Sequence, residues 1–118
     1  MIQKEITVNG VQYPVIFTLA TLSNFEEIAR TPFFKADFDI LKNRIAIICA
    51  AAIAADKKTK LAVEELRGKE TWEDYVQIAA AYAIVMECAK EFFPVPEIEE
   101  DNQEEQQPAE EGDEKPKN

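Results

Sequence analysis

The sequence predicts an α+β domain that is mostly α: an N-terminal β-hairpin, then three main helices, then a disordered acidic C-terminal tail. Three observations predict it. An Asn9-Gly10 pair separates two runs of β-forming residues, two long apolar stretches follow at helical spacing, and negative charge is crowded into the last residues. Of 118 residues, 23 are acidic and 13 basic, and ten of the acids but only two of the bases follow Pro96. Residues 1–96 are therefore nearly neutral and read as a single folded domain with one modest core. In residues 97–118 the only large apolar side chain is Ile98, so this stretch buries too little to offset its ordering entropy and is read as a disordered acidic tail.

The elements follow in order. Ile2, Lys4, Ile6 and Val8 alternate with Gln3, Glu5 and Thr7, and a second extended run covers residues 11–17. Asn-Gly between such runs is the strongest short-range hairpin signal, because both central positions of a type I′ turn require positive φ. Pro14 has no amide hydrogen and belongs where the ladder needs no donor. After Thr18, an N-cap, the residues Leu19, Leu22, Phe25 and Ile28 recur at steps of three, with Glu26, Glu27 and Arg30 towards another face. Thr31-Pro32 ends this amphipathic helix, and Phe33, Phe34 and Phe38 make an aromatic connector.

Asp37 or Asp39 is expected to cap a second helix that reaches about Ala55, with Leu41, Ile45, Ile48 and Ala52 on one side and Ile47, Ala51 and Ala54 on the other. The polar run Asp56-Lys57-Lys58-Thr59-Lys60 interrupts it, and residues 61–67 are read as one or two helical turns before Gly68. Thr71-Trp72-Glu73-Asp74 is a near relative of the capping box, with Asp in place of Glu, and opens a long helix. Tyr75, Ala79, Tyr82, Met86, Ala89 and Phe93 lie along one seam of it. Val76, Ala80, Ala83 and Ile84 widen that seam, and Pro94 and Pro96 stop the helix.

Composition excludes several kinds of chemistry. The chain has no histidine, which removes imidazole general bases, the triads that depend on them and histidine-containing metal sites. Glu26 with Glu27 and Glu64 with Glu65 are adjacent pairs that do not face each other on a helix. Glu87 and Glu91 stand one turn apart beside Lys90, as on a solvated face. Asp101, Asn102 and Asp113 lack the spacing of a calcium loop, and Gly10, Gly68 and Gly112 make no phosphate loop. No catalytic residue, metal site or cofactor is expected, so the protein is not read as an enzyme. No stripe of Lys and Arg is present to neutralise phosphates, so no nucleic-acid partner is expected. The apolar runs at 45–55 and 78–86 are shorter than the roughly 18 to 20 residues that cross a bilayer, and no apolar h-region follows Met1-Ile2-Gln3-Lys4-Glu5-Ile6. A cytoplasmic protein with no membrane partner is expected, its two cysteines, Cys49 and Cys88, reduced and buried as small hydrophobes.

The more informative feature is two helices that are apolar nearly all round in a domain this small. Such helices must be covered on most sides. Either the hairpin and first helix sandwich them, or they present a protein-protein surface, for self-assembly or for a client helix laid in a groove. The candidate partner-binding residues are Ile45, Ile48, Ala52, Tyr82 and Met86, and the many alanines allow close helix approach in either case.

A hairpin ending in Tyr13-Pro14-Val15-Ile16-Phe17, then Leu19-Ala20-Thr21-Leu22-Ser23-Asn24-Phe25-Glu26-Glu27-Ile28-Ala29, then apolar helices and an acidic end, resembles the tail assembly chaperones of long-tailed bacteriophages and prophages. The resemblance covers residues 1 to about 95 and rests on diffuse apolar patterns, the segment "Tyr-x-Val-x-Phe, then Leu, then Phe-Glu" among them. It implies a non-enzymatic function in the bacterial cytoplasm and outside the mature virion: holding apolar helical stretches of the tape measure protein and recruiting tail tube protein subunits during virion assembly. It also implies a longer product made by ribosomal frameshifting. Pro116-Lys117-Asn118 is compatible with the codons CCA AAA AAC, which contain the slippery heptamer A AAA AAC; synonymous codons write the same residues without it, so the encoding DNA decides. The alternative is a structural protein that homo-oligomerises through its alanine-rich helices. An acidic nucleic-acid mimic ranks below both, because its charges would sit on a floppy tail and not on a rigid surface.

Overall fold

The computed structural model describes residues 2–94. The expected tail at 97–118 lies outside the described residues, and the described chain forms the hairpin and helices expected of it. In order these are β1 (Gln3–Val8), β2 (Val11–Ile16), α1 (Leu19–Ala29), a single 3-10 turn (Phe33–Lys35), α2 (Leu41–Ala55), a short α3 (Val63–Arg67) and α4 (Trp72–Phe92).

β1 and β2 pair antiparallel from Gln3↔Ile16 to Val8↔Val11, leaving Asn9 and Gly10 as a two-residue turn. Both have positive φ, 53° and 81°, as the type I′ turn demands. The pair that flanks such a turn exchanges both hydrogen bonds, and the pattern alternates from there. Glu5↔Pro14 is thus a non-bonded pair, so the missing amide of Pro14 faces away from β1 and no ladder bond is lost. The turn is also tied down at a distance, because the Asn9 amide donates to Gln77 Oε1 on α4 at 2.8 Å.

One face of the hairpin, with Ile6, Val8 and Val15 buried, lies over the helices, β1 against α4 and β2 against α2. Lys4 belongs to this inward face yet lies near its rim. Its stem stays half-buried while the ammonium reaches Glu87 at 3.7 Å, as long cationic side chains commonly do.

Thr18 caps α1 as expected, but its partner in the capping box is Thr21. The buried Thr21 hydroxyl accepts from the Thr18 amide at 3.0 Å and donates to the Ile16 carbonyl at 2.9 Å, which joins the end of β2 to α1. The side of α1 turned to the core carries Thr21 and Phe25, with Leu22 and Ile28 at its edges, whereas Leu19 is 73 % exposed. Steps of three lag the helix by about 60° each, so a row of four such residues cannot share one face. Arg30 ends the helix in the left-handed region at φ 61°.

The start of α2 corrects a second expectation. Neither Asp37 nor Asp39 caps it; the N-cap is Ile40, with no side-chain bond. Asn43 donates to the Asp37 carbonyl at 2.9 Å, Arg44 Nε donates to the Phe38 carbonyl, and the Asp39 carboxylate lies 3.7 Å from the Arg44 guanidinium. These bonds fold the connector over the first turn and take both aspartates away from the cap.

Every residue of α2 from Ile45 to Ala52 is buried, covered by α1, β2, α4 and α3. The hairpin and α1 therefore account for the all-round apolar character of this helix. Its four alanines in that stretch, 46, 50, 51 and 52, allow close approach, and Asn24 of α1 donates to the Ala50 carbonyl at 3.3 Å. α4 begins with the expected box, Thr71 with Asp74. Its buried residues are Ile78, Ala81, Val85, Cys88 and Ala89; Ala89 lies on the expected seam and the other four run beside it. Tyr82 and Met86 flank these four, and Val76, Ala80 and Ala83 face out.

All seven phenylalanines join one cluster. Phe33 is its hub, with ring centroids 5.1 to 5.9 Å from those of Phe17, Phe25, Phe34, Phe38 and Phe93. Phe92 adds to it through Phe17 at 5.5 Å. The cluster ties the end of the hairpin, α1, the connector and the last turn of α4 together at separations typical of favourable aromatic pairs.

Candidate functional site

Eight large apolar side chains are exposed among the described residues, and five of them, Ile40, Leu41, Trp72, Tyr75 and Val76, stand at the starts of α2 and α4. The other three, Val11, Leu19 and Phe34, lie on separate elements, as scattered surface apolars do. The five are crowded for a local reason. α3 is only five residues long and buries Leu66 alone, too little to roof the gap between the first turns of its neighbours.

That gap is a groove. A cavity of about 230 Å³ has an apolar floor of Leu41, Ile45, Leu66, Tyr75 and Ile78. Trp72, 71 % exposed, extends the floor outward by stacking on Tyr75 with centroids 5.0 Å apart and planes at 24°. Val76 follows one turn after Trp72. The polar lining is mostly cationic, with Lys42, Arg67 and Lys69 against one acid, Asp74.

Asp74 is already engaged. Its Oδ2 accepts from the Thr71 hydroxyl at 2.8 Å, the Thr71 amide at 3.1 Å and the Glu70 amide at 3.3 Å. The Thr71 hydroxyl, foremost among these, holds its carboxyl below the usual carboxylate range. Among the described residues the ion pairs are Lys4–Glu87 and Arg44–Asp39, so the groove's cations are left facing it.

The structure disperses the residues singled out from the sequence. Ile45 is buried and forms part of the groove floor. Ile48 and Ala52 are fully buried one and two turns further along α2, inside the domain. Tyr82 is half-buried, its ring stacked on Phe38 with centroids 6.1 Å apart and capped by the Arg44 guanidinium at 4.9 Å. Burial, foremost, raises the Tyr82 phenol above its ordinary value. Met86 is half-buried against the core. Leu66, Trp72 and Tyr75 complete the groove. The signal for the last two was an aromatic pair at i and i+3 in the first turn of a helix, where acids and a cap would otherwise keep the surface polar.

No family model matches this chain, and no match is found among curated proteins or solved structures. What the groove can do follows from its own chemistry. It offers apolar surface, stacked aromatic rings and positive charge, the combination that receives a helical or extended peptide segment. The thiols do not add reactivity. Burial pushes Cys49 up to about 12 and also raises Cys88, away from the thiolate that a nucleophile requires. Among the described residues no three His, Cys, Asp or Glu side chains gather as a metal site, and no helix is long and apolar enough to cross a membrane.

Proposed function

We propose that the protein is a tail assembly chaperone of a phage or prophage, acting in the bacterial cytoplasm. In this reading it holds apolar helical segments of a tape measure protein in the groove at the starts of α2 and α4 and brings tail tube protein to them. The observation that carries the reading is the open apolar floor of Leu41, Ile45, Leu66, Tyr75 and Ile78 beside the exposed Trp72 and Val76. An amphipathic helix needs such a strip to bury its apolar face, and a long helical client would otherwise aggregate through that face. The resemblance of residues 1 to about 95 to the chaperone family supplies the identity of the client.

The test is co-expression with the tape measure gene product encoded beside it. The two proteins should co-purify, and Leu41→Asp or Trp72→Asp should abolish the complex while far-UV circular dichroism of the free protein stays unchanged. Ile48→Asp serves as the opposite control, since a charge at that buried position unfolds the domain. Failure to co-purify under conditions that keep the client in solution, or retention of the client by both groove variants, removes the proposal.

A further inference from the structure

We infer that, when no client is bound, the groove is occupied by the acidic segment at residues 97–101 of a second copy of the chain, with Ile98 as the anchor. The inference deepens the reading above and rests on this groove being a binding surface. Three observations support it.

The first is size. At about 230 Å³ the cavity is smaller than the roughly 300 to 1,000 Å³ of sites that enclose a drug-sized ligand, and it suits one bulky apolar side chain of a peptide. The second is charge. Three cations, Lys42, Arg67 and Lys69, line the groove against one acid, Asp74, whereas the chain as a whole is at -10, so the occupant that complements it is an apolar residue flanked by acids. Residues 97–101 read Glu-Ile-Glu-Glu-Asp, with Ile98 the only large apolar side chain after Pro96.

The third is reach, which decides between the chain's own groove and a neighbour's. Ile78 and Tyr75, which line the groove from α4, lie about 21 and 25 Å from Phe92 at 1.5 Å per residue. The six residues from Phe92 to Ile98 span at most about 21 Å, and only if they ran straight back along α4. They do not begin that way: Phe93 leaves the helix extended and is held against Phe17, Phe33 and Phe34. Residues beyond 98 are long enough to return, but none carries a large apolar side chain. Ile98 therefore enters the groove of a second copy, and a client helix competes for the same place.

The experiment uses the full chain. Sedimentation equilibrium should show self-association that weakens with added salt, and both Ile98→Ser and Arg67→Glu should weaken it by roughly tenfold or more. A synthetic peptide of residues 94–103 is then titrated into the full-length Ile98→Ser protein, with Trp72, the only tryptophan, as the fluorescent reporter. A saturable change in emission is expected, absent with a peptide carrying Ser at 98. Self-association unaffected by Ile98→Ser, or emission unmoved by the peptide, overturns the inference. The client reading fails separately: the Ile98→Ser protein should still co-purify with the tape measure protein, and a peptide that binds where the client does not would leave the tail contact standing without the chaperone role.

Discussion

At its C-terminal end α4 delivers Phe92 and Phe93 to a cluster that also takes in the hairpin, α1 and the connector, whereas at its N-terminal end Trp72 and Tyr75 stack on each other and stay exposed. Aromatic residues occupy both ends, so residue type does not explain the difference. The number of neighbouring elements does. Phe33 and Phe38 bring a connector across the far end, while at the near end the five residues of α3 line the groove beside Tyr75 without covering Trp72 or Tyr75. An aromatic side chain becomes core where chain is available to roof it and stays exposed where it is not.

Truncating one aromatic at each end should give the widest contrast. Phe33→Ala removes the hub of the cluster and should lower stability by about 3 kcal/mol in urea denaturation, whereas Trp72→Ala should change it by less than about 0.5 kcal/mol while abolishing the proposed client binding. Equal effects on stability would mean that the two ends are not different in kind.

Between the ends, the buried middle of α2 can be read through Cys49. Its ordinary value of 9.0 is raised to about 12 by burial, with Glu65 and Glu64 adding to the shift. The folded state thus keeps a proton that the unfolded chain releases. The stabilisation is fully present below about pH 9 and is lost progressively as pH rises towards 12, reaching of order a few kcal/mol. The check is chemical denaturation from pH 8 to 11 on the wild type and Cys49→Ala, in which the Cys49-dependent part of the slope should disappear.

At the open end, Thr71→Ala removes both the cap and the main hydrogen-bond partner of Asp74. A loss of about 1 kcal/mol is expected, together with a rise in the Asp74 pKa measurable by NMR titration. The smallest effect belongs to the sealed end. Arg30 sits at φ 61° just before the connector, and Arg30→Gly should raise the melting temperature slightly, by a stabilisation of no more than about 1 kcal/mol.

Legibility from sequence followed the range of the interactions. The hairpin, the caps at Thr18 and Thr71, the end of α2 at Ala55 and the stop before Pro94 were readable because each is decided within a few residues. The α2 cap was not, because Asn43 and Arg44 engage the Asp37, Phe38 and Asp39 region once the connector folds back. The outward direction of Leu19 is not legible in a spacing of three, because each such step turns about 60° away from one face. Of the candidates on α2, Ile45 lines the groove, but Ile48 on the same stripe is core. Which turn of an apolar helix remains uncovered depends on the lengths of other elements, here on the brevity of α3, and no local pattern in α2 records that.

The hydrogen bond from Asn9 to Gln77 joins residues 68 positions apart, and the hairpin it anchors lies over both α2 and α4. This sets an order of events during synthesis. The hairpin and α1 can form as they emerge, but α2 has no complete cover until α4 follows, and the phenylalanine cluster cannot close before Phe92 and Phe93 are made. Non-local closure of this kind is slow relative to local helix formation. A nascent chain that stalls before the end of α4 would leave α2, buried from Ile45 to Ala52 in the finished fold, uncovered.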